Sequence, residues 1–436
     1  MKFKKSGQIL LALVVSLGLC LSVTSCTVDY TVAYFYVTGA QYNQIGAFKV
    51  ANNTGNLTNI PGSPFGSGGT YPLREIVSTT GRYLYVLNAG AIPTGAATYN
   101  GSNIAVFSVG GNGVLAPQQT YTSQGNGPIR FAFSSTGAYL YVLDQYAPVN
   151  GNQISSSTQS ATFPCPDPTA SGVYHPVGDI TAFSVNTTTG RLSLITNNQQ
   201  QNSTGTQLPY FPVGCNPIDF KVSAAYVLTA DAGPEPTTQN YQTIFEYAIN
   251  GASGQLTLTQ NTELVTNADH ISTIGTDAAS HYVYVVDSGN NQIFSYTIGT
   301  NGILQSVTSS PFSNSQSVTG NPIALTSDSK SKFLYVADAG PSTALGQANS
   351  QISGFTIATN GVLAQISGAP FPTGSSPQCI LEDPSNQYLY TADGTSNTVT
   401  GHVLDPNSGV LTDLRNNTSY ATVGTPTWCV ASGHTD

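Results

Sequence analysis

The residues most able to do chemistry are five charged or titratable side chains, each near the start of a short apolar segment. They are Arg74, Glu75, Arg130, Asp219 and His270. Two arginines suit a carboxylate or phosphate ligand, because each guanidinium presents a planar fork of donors. A carboxylate or imidazole can activate water for attack on a carbonyl group while an arginine stabilises the oxyanion. We therefore predict Arg74 and Arg130 as ligand-binding residues and Glu75, Asp219 and His270 as candidate catalytic residues. The alternative is that these charges pair only with one another.

Two further residues are weaker candidates. Trp428 is the single tryptophan and could form an aromatic platform for a sugar ring, with core packing as the alternative. His175 lies in a long insertion. The sequence has no Gly-x-Ser-x-Gly motif, no phosphate-cradling loop and no dinucleotide fingerprint, so we predict no cofactor.

A ring of carboxylates raises the question of a cation site. A phrase of the type Tyr-x-Tyr-Val recurs seven times in the sequence. The residues three positions after the third residue of each phrase are Gly39, Asn88, Asp144, Asp231, Asp287, Asp338 and Asp393. Calcium takes several oxygen ligands, which favours a metal. A glycine follows within one or two residues in four of the five copies that have Asp, however, and Asp in such a turn bonds its own downstream backbone. We favour turns and predict no metal.

The element that positions these residues is a sevenfold repeat. The phrase occurs at residues 34–37, 83–86, 139–142, 226–229, 282–285, 333–336 and 388–391. Successive copies are 49 to 56 residues apart, except for one interval of 87 that carries an insertion. Period-2 alternation predicts four antiparallel strands per repeat, and no segment after Leu21 shows helical periodicity. The chain is therefore predicted to be an all-β, seven-bladed propeller.

The phase of the repeat predicts how the ring closes. The chain begins on a Tyr-x-Tyr-Val strand and ends on a strand at residues 425–432, equivalent to those that begin at proline in other copies. We call these proline-led strands the inner strands. The C-terminal one is predicted to complete blade 1, so that no sheet edge is left open.

The phrases, together with strands such as residues 104–109, resemble the YVTN and lactonase-like family of seven-bladed propellers. Tyr36-Val37-Thr38-Gly39 differs by one residue from the motif that gives the family its name. The resemblance covers residues 32–433 and implies the propeller fold. The family includes sugar lactonases, so the resemblance also implies hydrolysis of a sugar lactone. The carbonyl that water would attack with the help of Asp219, Glu75 or His270 is then that of the lactone. Fold alone does not establish activity.

Loop lengths predict which end of the propeller carries a site. The inner strands begin, and the Tyr-x-Tyr-Val strands end, at one face, which we call the top face. Its loops are long at residues 88–102, 144–178, 231–241 and 338–350. Long loops on a rigid scaffold usually carry function. We therefore place any site at the top mouth of the central channel.

The N-terminus predicts export. Three lysines precede an apolar stretch at residues 9–21, which is typical of a signal peptide at residues 1–25. The following Cys26 resembles a lipoprotein acylation site, with residues 26–31 as a lipidated tether. By the same resemblance, Thr27 favours the outer membrane. We expect a cell-envelope protein held at the membrane only by its lipid; the alternative is an ordinary secretory signal.

Four cysteines remain beyond the tether, and an even number in an oxidising compartment predicts disulfides. Cys165 and Cys215 both belong to the top face, so we predict that they pair. Cys379 and Cys429 occupy similar places on neighbouring inner strands and form the second predicted pair; the alternative is that these strands splay and hold the Cα atoms beyond the ~7 Å that a disulfide can join. The mature chain keeps 9 Lys and Arg against 21 Asp and Glu and has no basic patch, which argues against nucleic acid.

The primary hypothesis is a binding module for a small-molecule or glycan ligand, or an envelope protein, through the top-face loops. It rests on the predicted anchor, a surface poor in charge, and the lack of a convincing catalytic set. The alternative is a lactone hydrolase that uses the Arg74, Arg130, Glu75 and Asp219 cluster.

Overall fold

A computed structural model describes most of the chain beyond the N-terminus. The described residues are 30–91, 100–149, 152–153, 165, 177–201, 205–223, 225–233, 242–259, 264–299, 302–314, 321–340 and 350–433. The predicted signal peptide, Cys26, most of the tether and His175 lie outside them. Within these ranges the regular structure is all β, and none of it is a helix long and apolar enough to span a bilayer.

The strands fall into seven successive groups. Blade 1 begins with β1 (Thr31–Gly39), β2 (Gln44–Ala51), β3 (Leu57–Asn59) and β4 (Phe65–Gly66). Blade 2 contains β5 (Pro72–Val77), β6 (Tyr83–Asn88), β7 (Asn103–Val109) and β8 (Leu115–Tyr121). Blade 3 begins with β9 (Asn126–Phe133) and β10 (Tyr139–Tyr146). A separate hairpin follows, made of β11 (Pro148–Val149) and β12 (Asn152–Gln153). Blade 3 ends with β13 (Val177–Val185), β14 (Leu192–Ile195) and β15 (Phe211–Cys215).

Blades 4 to 7 follow the same plan. Blade 4 contains β16 (Pro217–Val222), β17 (Tyr226–Asp231), β18 (Thr243–Ile249), β19 (Leu256–Leu258) and β20 (Leu264–Val265). Blade 5 contains β21 (Ile271–Thr276), β22 (Tyr282–Asp287), β23 (Gln292–Ile298), β24 (Leu304–Ser306) and β25 (Phe312–Ser313). Blade 6 contains β26 (Pro322–Ser327), β27 (Phe333–Asp338), β28 (Gln351–Ile357), β29 (Leu363–Gln365) and β30 (Phe371–Pro372). Blade 7 contains β31 (Pro377–Glu382), β32 (Tyr388–Asp393), β33 (Thr398–Leu404), β34 (Leu411–Asp413) and β35 (Ser419–Ala421). The last strand is β36 (Pro426–Gly433).

Each blade is an antiparallel sheet whose proline-led or equivalent strand is innermost and whose Tyr-x-Tyr-Val strand is second. The predicted four positions are present, and in six blades the outer position is divided between two short segments that both pair with the third strand. The second strands are buried on both faces between neighbouring blades, as in β6, where Leu84–Leu87 is entirely buried. Burial on both faces explains why these strands are continuously apolar or aromatic rather than alternating.

The ring closes as predicted. Strand β36 pairs antiparallel with β1, from Ala33 opposite Gly433 to Thr38 opposite Trp428. The inner strands contact one another in a closed series, in the order β36, β5, β9, β16, β21, β26, β31 and back to β36. The C-terminal segment therefore completes blade 1 and removes the open edges that a linear array would leave.

The repeated tyrosines join neighbouring blades through their hydroxyl groups. In each case the phenol donates to a backbone carbonyl in the turn between the third and outer strands of the next blade. The buried pairs are Tyr36 to Gly113, Tyr85 to Gly190, Tyr141 to Gly254, Tyr335 to Gly409 and Tyr390 to Gly55. The last pair links blade 7 to blade 1, so the same contact that orders the blades also seals the ring.

The turn glycines are required by close approach as well as by backbone conformation. Gly55 has a φ of 68°, and a Cβ added there would lie 2.5 Å from Cδ1 of Tyr388. Two blades lack the standard bond. Blade 4 has Leu228 in place of the tyrosine. In blade 5 the buried Tyr284 hydroxyl has no partner among the described residues, because Ser295 Oγ donates to the carbonyl of Gly361 at 3.2 Å.

Both predicted disulfides are confirmed. Cys165 is bonded to Cys215 with a Cα–Cα distance of 5.5 Å, which ties the insertion of blade 3 to its own sheet. Cys379 is bonded to Cys429 with a Cα–Cα distance of 5.8 Å. This second bond joins the inner strands of blades 7 and 1, so it reinforces the closure made by β36.

Candidate active site

Three inner strands bring the predicted cluster together. Arg130 on β9 donates from Nε to Oδ1 of Asp219 on β16 at 2.7 Å. A second Arg130 nitrogen donates to the Ile129 carbonyl at 2.9 Å. Arg74 on β5 interacts electrostatically with both Arg130 and Asp219. These residues come from blades 2, 3 and 4, so the centre of the ring, rather than any one blade, defines the cluster.

Asp219 is saturated as an acceptor. Oδ1 also accepts from the Phe220 N–H at 2.9 Å, while Oδ2 accepts from Thr273 Oγ1 at 2.7 Å and from the Ile274 N–H at 3.1 Å. A carboxylate has about four acceptor sites, and four donors occupy them here. The side chain links blades 3, 4 and 5 and fixes the direction of the Arg130 guanidinium. This arrangement suits a positioning residue better than a base that must receive a proton from water.

Arg74 forms the opposite side of the cluster with blade 1. Its guanidinium carbon lies 4.0 Å from the ring centroid of Trp428, a cation–π contact. It also donates to the Thr427 carbonyl at 3.0 Å and the Leu73 carbonyl at 2.9 Å. Burial lowers the pKa of Arg74, nearby Arg130 lowers it further, and Asp219 raises it. A guanidinium still stays charged in a protein, so the cluster holds two buried or half-buried cations.

Lys221 was missed by the sequence reasoning and belongs to this cluster. It stands two residues after Asp219 on β16, hence on the same side of the strand, and is half-buried. Burial lowers the pKa of Lys221, and the Asp219 charge partly opposes that shift. The alternation of charges at positions 219 and 221 of an inner strand was the signal that could have identified it.

The cluster therefore carries positive charge inside an acidic protein. Arg74, Arg130 and Lys221 surround one acidic side chain, Asp219. The whole chain has a formal net charge of −9. A positive cluster in an acidic protein attracts negatively charged ligands.

Glu75 lies behind the cluster rather than in its open part. Its side chain is fully buried, and neither carboxylate oxygen has a hydrogen-bond partner that meets geometric criteria among the described residues. Burial raises the pKa of Glu75 well above its ordinary value, against a small lowering by the Thr38 backbone. Burial in this position favours the neutral form of the carboxyl group. Its role as a base stays a prediction.

His270 lies at the surface of blade 5. Its backbone N–H donates to Oδ1 of Asp287 at 2.9 Å, and its carbonyl accepts from the Ser288 N–H at 2.8 Å. These contacts hold its backbone within its own blade. A catalytic role for this side chain also stays a prediction.

The carboxylates of the predicted ring are buried structural acceptors. Asp287 accepts from the N–H groups of Gly289 and Asn290, the predicted turn, and its pKa is lowered by such bonds despite burial. Asp338 and Asp393 instead accept from side chains of the adjoining strand, such as Ser353 at 2.8 Å and Thr400 at 2.7 Å. In the part of the chain that is described, no three His, Cys, Asp or Glu side chains group as metal ligands.

Two exposed tyrosines lie in turns of blades 1 and 2, one between β1 and β2 and one just before β5. Tyr42 and Tyr71 are 64% and 41% exposed. Tyr71 immediately precedes inner strand β5 and has a φ of 56°, and its N–H donates to Asn43 Oδ1 at 2.7 Å. The position before the equivalent proline of other inner strands holds Gly127, Asn216, Ser376 and Thr425, all with positive φ. A bulky aromatic residue in this conformation is strained, and such strain concentrates at functional sites. Most of the long top-face loops lie outside the described residues.

The fold and this channel cluster define a propeller of the lactonase type. Residues 27–149 and 304–431, more than half of the chain, match the family described as Lactonase, 7-bladed beta-propeller. The chain therefore belongs to this family. The match includes Arg74, Arg130 and Trp428, whereas Asp219 and Lys221 lie in the unmatched middle of the chain. No curated protein matches the sequence.

Solved structures agree on the fold. A periplasmic gluconolactonase of Pseudomonas aeruginosa is similar with a TM-score of 0.65 and 14% identity, covering 92% of this chain and 99% of that one. A candidate 6-phosphogluconolactonase of Bacteroides uniformis has a TM-score of 0.64 and 13% identity over 92% of this chain and 100% of that one. Another candidate of that kind, from Bacteroides fragilis, has a TM-score of 0.63 and 15% identity, covering 94% and 99%. Identities this low carry the fold alone.

Proposed function

We propose that this protein hydrolyses a sugar lactone at the central channel. The observation that carries the proposal is the cationic cluster of Arg74, Arg130 and Lys221, held in place by Asp219 beside an aromatic ring. Family membership supports it, as do neighbours that are named gluconolactonases. The sequence-based hypothesis of a binding module is thereby displaced to second place.

Lactone hydrolysis requires a water molecule, a group that transfers its proton and a positive charge near the carbonyl oxygen. A water oxygen attacks the carbonyl carbon, the bond from that carbon to the ring oxygen breaks, and the ring oxygen takes a proton. The product is a hydroxy acid. Guanidinium groups stabilise the negative charge that develops on the carbonyl oxygen, and a site that is already oriented stabilises it most. Asp219 provides that orientation for Arg130, and Trp428 offers a flat apolar surface to the sugar ring.

Lys221 is our candidate for the proton transfer. Burial lowers the pKa of the Lys221 amine, which makes it a better proton donor and acceptor than an exposed lysine. In this role the amine would take a proton from the attacking water and pass it to the ring oxygen as the ester bond breaks. Glu75 and His270 remain the other predicted candidates.

The test is release of acid from glucono-1,5-lactone, followed in a pH-stat with the purified chain. Lys221→Met should reduce kcat by about 100-fold or more, as for loss of a general acid–base group. Arg130→Gln should weaken kcat/KM, and Arg130→Lys should restore part of it. The matched control is Arg415→Ala, because Arg415 is an exposed arginine on blade 7.

Two results would contradict the proposal. One is acid release by the wild-type chain no faster than in buffer, with lactones of several ring sizes. The other is hydrolysis that neither channel substitution changes while the variants remain folded by circular dichroism.

We also propose that the enzyme is exported and anchored by lipid at Cys26, in the outer membrane if the cell has one. Two disulfides support an oxidising compartment. In cells, Cys26→Ser should move the protein from the membrane fraction to the soluble fraction. Unchanged membrane association would overturn the anchor.

A further inference from the structure

A second concave site lies on the outer rim, away from the channel. It is a cavity of about 310 Å³ between blades 2 and 3. One wall is the outer strand β8, which supplies Gln118, Gln119 and Tyr121. The other wall is the turn between β13 and β14 with Arg191, and Tyr83 lies between the two walls. Sites for small ligands occupy about 300–1000 Å³, so this cavity suits one or two sugar-sized rings.

The aromatic part of the cavity is fixed in advance. The Tyr83 hydroxyl donates to the Thr188 carbonyl at 2.7 Å, a second inter-blade bond beside that of Tyr85 with Gly190. The Tyr121 ring lies 6.5 Å from that of Phe183. Both tyrosines are half-buried, so each offers ring surface while its orientation is restrained. Rigid aromatic rings with polar tips stack on flat ligands at low entropic cost.

Hydrogen bonds through Gln119 orient Arg191, the cation among the residues that line the cavity. With its amide nitrogen donating to Tyr121 Oη at 2.6 Å, Gln119 accepts through its amide oxygen from Nε and Nη2 of Arg191, each at 3.2 Å. A guanidinium has five N–H donors, so these bonds leave the outer ones of Arg191 for a ligand. The residues that line the cavity include no Asp or Glu. The unshared donors can therefore bind an external carboxylate as a two-point pair.

We propose that this cavity binds a saccharide that carries a carboxylate, such as a uronic acid residue of an envelope or environmental polysaccharide. The tyrosine rings contact the sugar face, the Gln118 and Gln119 amides contact hydroxyl groups, and Arg191 binds the carboxylate. The site is independent of the lactonase proposal, because it shares no residue with the channel cluster.

The experiment is calorimetric titration with trigalacturonate and, in parallel, with neutral galactotriose. Wild-type protein should bind the acidic trisaccharide at least tenfold more tightly than the neutral one. Arg191→Gln should remove that preference, and Tyr121→Ala should weaken binding of both sugars. Arg415→Ala is the matched control for loss of one positive charge. Arg191→Gln should leave lactone hydrolysis unchanged, since Arg191 lies outside the channel.

The proposal is overturned if neither sugar binds, or if Arg191→Gln binds trigalacturonate as the wild type does. An acidic tripeptide that competes as well as trigalacturonate would also overturn it, by assigning the cavity to peptide carboxylates. If the wild-type protein binds trigalacturonate but does not hydrolyse lactones, only the proposed channel activity is contradicted. The failures of the two proposals are therefore distinguishable.

Discussion

The tyrosine contact between blades 7 and 1 gives a quantitative test of how the ring is held. In Tyr390→Phe the ring, which packs against Phe35 at a centroid distance of 5.2 Å, is retained. Only the hydroxyl that donates to the Gly55 carbonyl at 2.6 Å is lost. Both groups are buried, so the substitution leaves a carbonyl without a partner. That situation costs about 1–3 kcal/mol, more than the net value of a typical hydrogen bond.

The chain offers its own control at the equivalent position of blade 5. The Tyr284 hydroxyl is equally buried but has no partner among the described residues. Tyr284→Phe removes an unpaired polar group, so the free energy of unfolding should stay the same or rise. Guanidinium chloride unfolding of the two variants and the wild type, monitored by tyrosine fluorescence and circular dichroism, measures the difference. Equal destabilisation by both substitutions would refute the assignment of the energy to the hydroxyl contact.

Three further predictions follow from other features. Asp144 and Asp179 lie opposite each other in fully buried positions, and burial raises both pKa values, that of Asp144 to about 7. A raised carboxyl pKa means that the folded state binds more protons than the unfolded state between the two pKa values. The free energy of unfolding should therefore fall as pH rises from about 4 to about 7. Asp144→Asn should flatten this dependence and add about 1–3 kcal/mol at pH 8, measured by denaturant titration at several pH values. A steeper pH dependence in the variant would contradict the sign. Replacing Cys379 and Cys429 together by alanine opens a loop of 50 residues, so unfolding should become easier by about 2–4 kcal/mol, with unchanged stability as the opposing result. Tyr71→Asn should relieve about 1 kcal/mol of left-handed strain and raise Tm while raising KM for the lactone; an unchanged KM would remove Tyr71 from the site.

Much of the fold was predictable because the repeat is strong in the sequence. A strand such as Phe333–Asp338 is apolar on both faces, and seven copies at regular spacing admit few arrangements other than a ring. The outer positions were less predictable. Segments such as Phe312–Ser313 are only two residues long and carry no periodic pattern. The hydroxyl contacts were also hidden, since each joins a tyrosine to a backbone carbonyl in a different repeat.

The candidate site was predicted in its outline and missed in its details. Placing Arg74, Arg130 and Asp219 at the starts of inner strands was enough to bring them together. The sequence could not indicate that all the acceptor sites of the Asp219 carboxylate are occupied by protein donors, because two of these donors belong to blade 5. Nor could the sequence indicate that the Glu75 side chain is fully buried whereas its neighbour Arg74 is partly exposed. Lys221 lies further along β16 than Asp219, so a position at the start of an inner strand did not identify it.

The pairing of Ala33 with Gly433 also dictates the order of events during synthesis. Strand β36 is synthesised after blades 2 to 7, so an emerging chain can build those blades before it can finish blade 1. Contacts this distant in sequence form slowly. A nascent chain consequently stays open until β36 has left the ribosome, and a truncation before β36 would leave blade 1 without its inner strand.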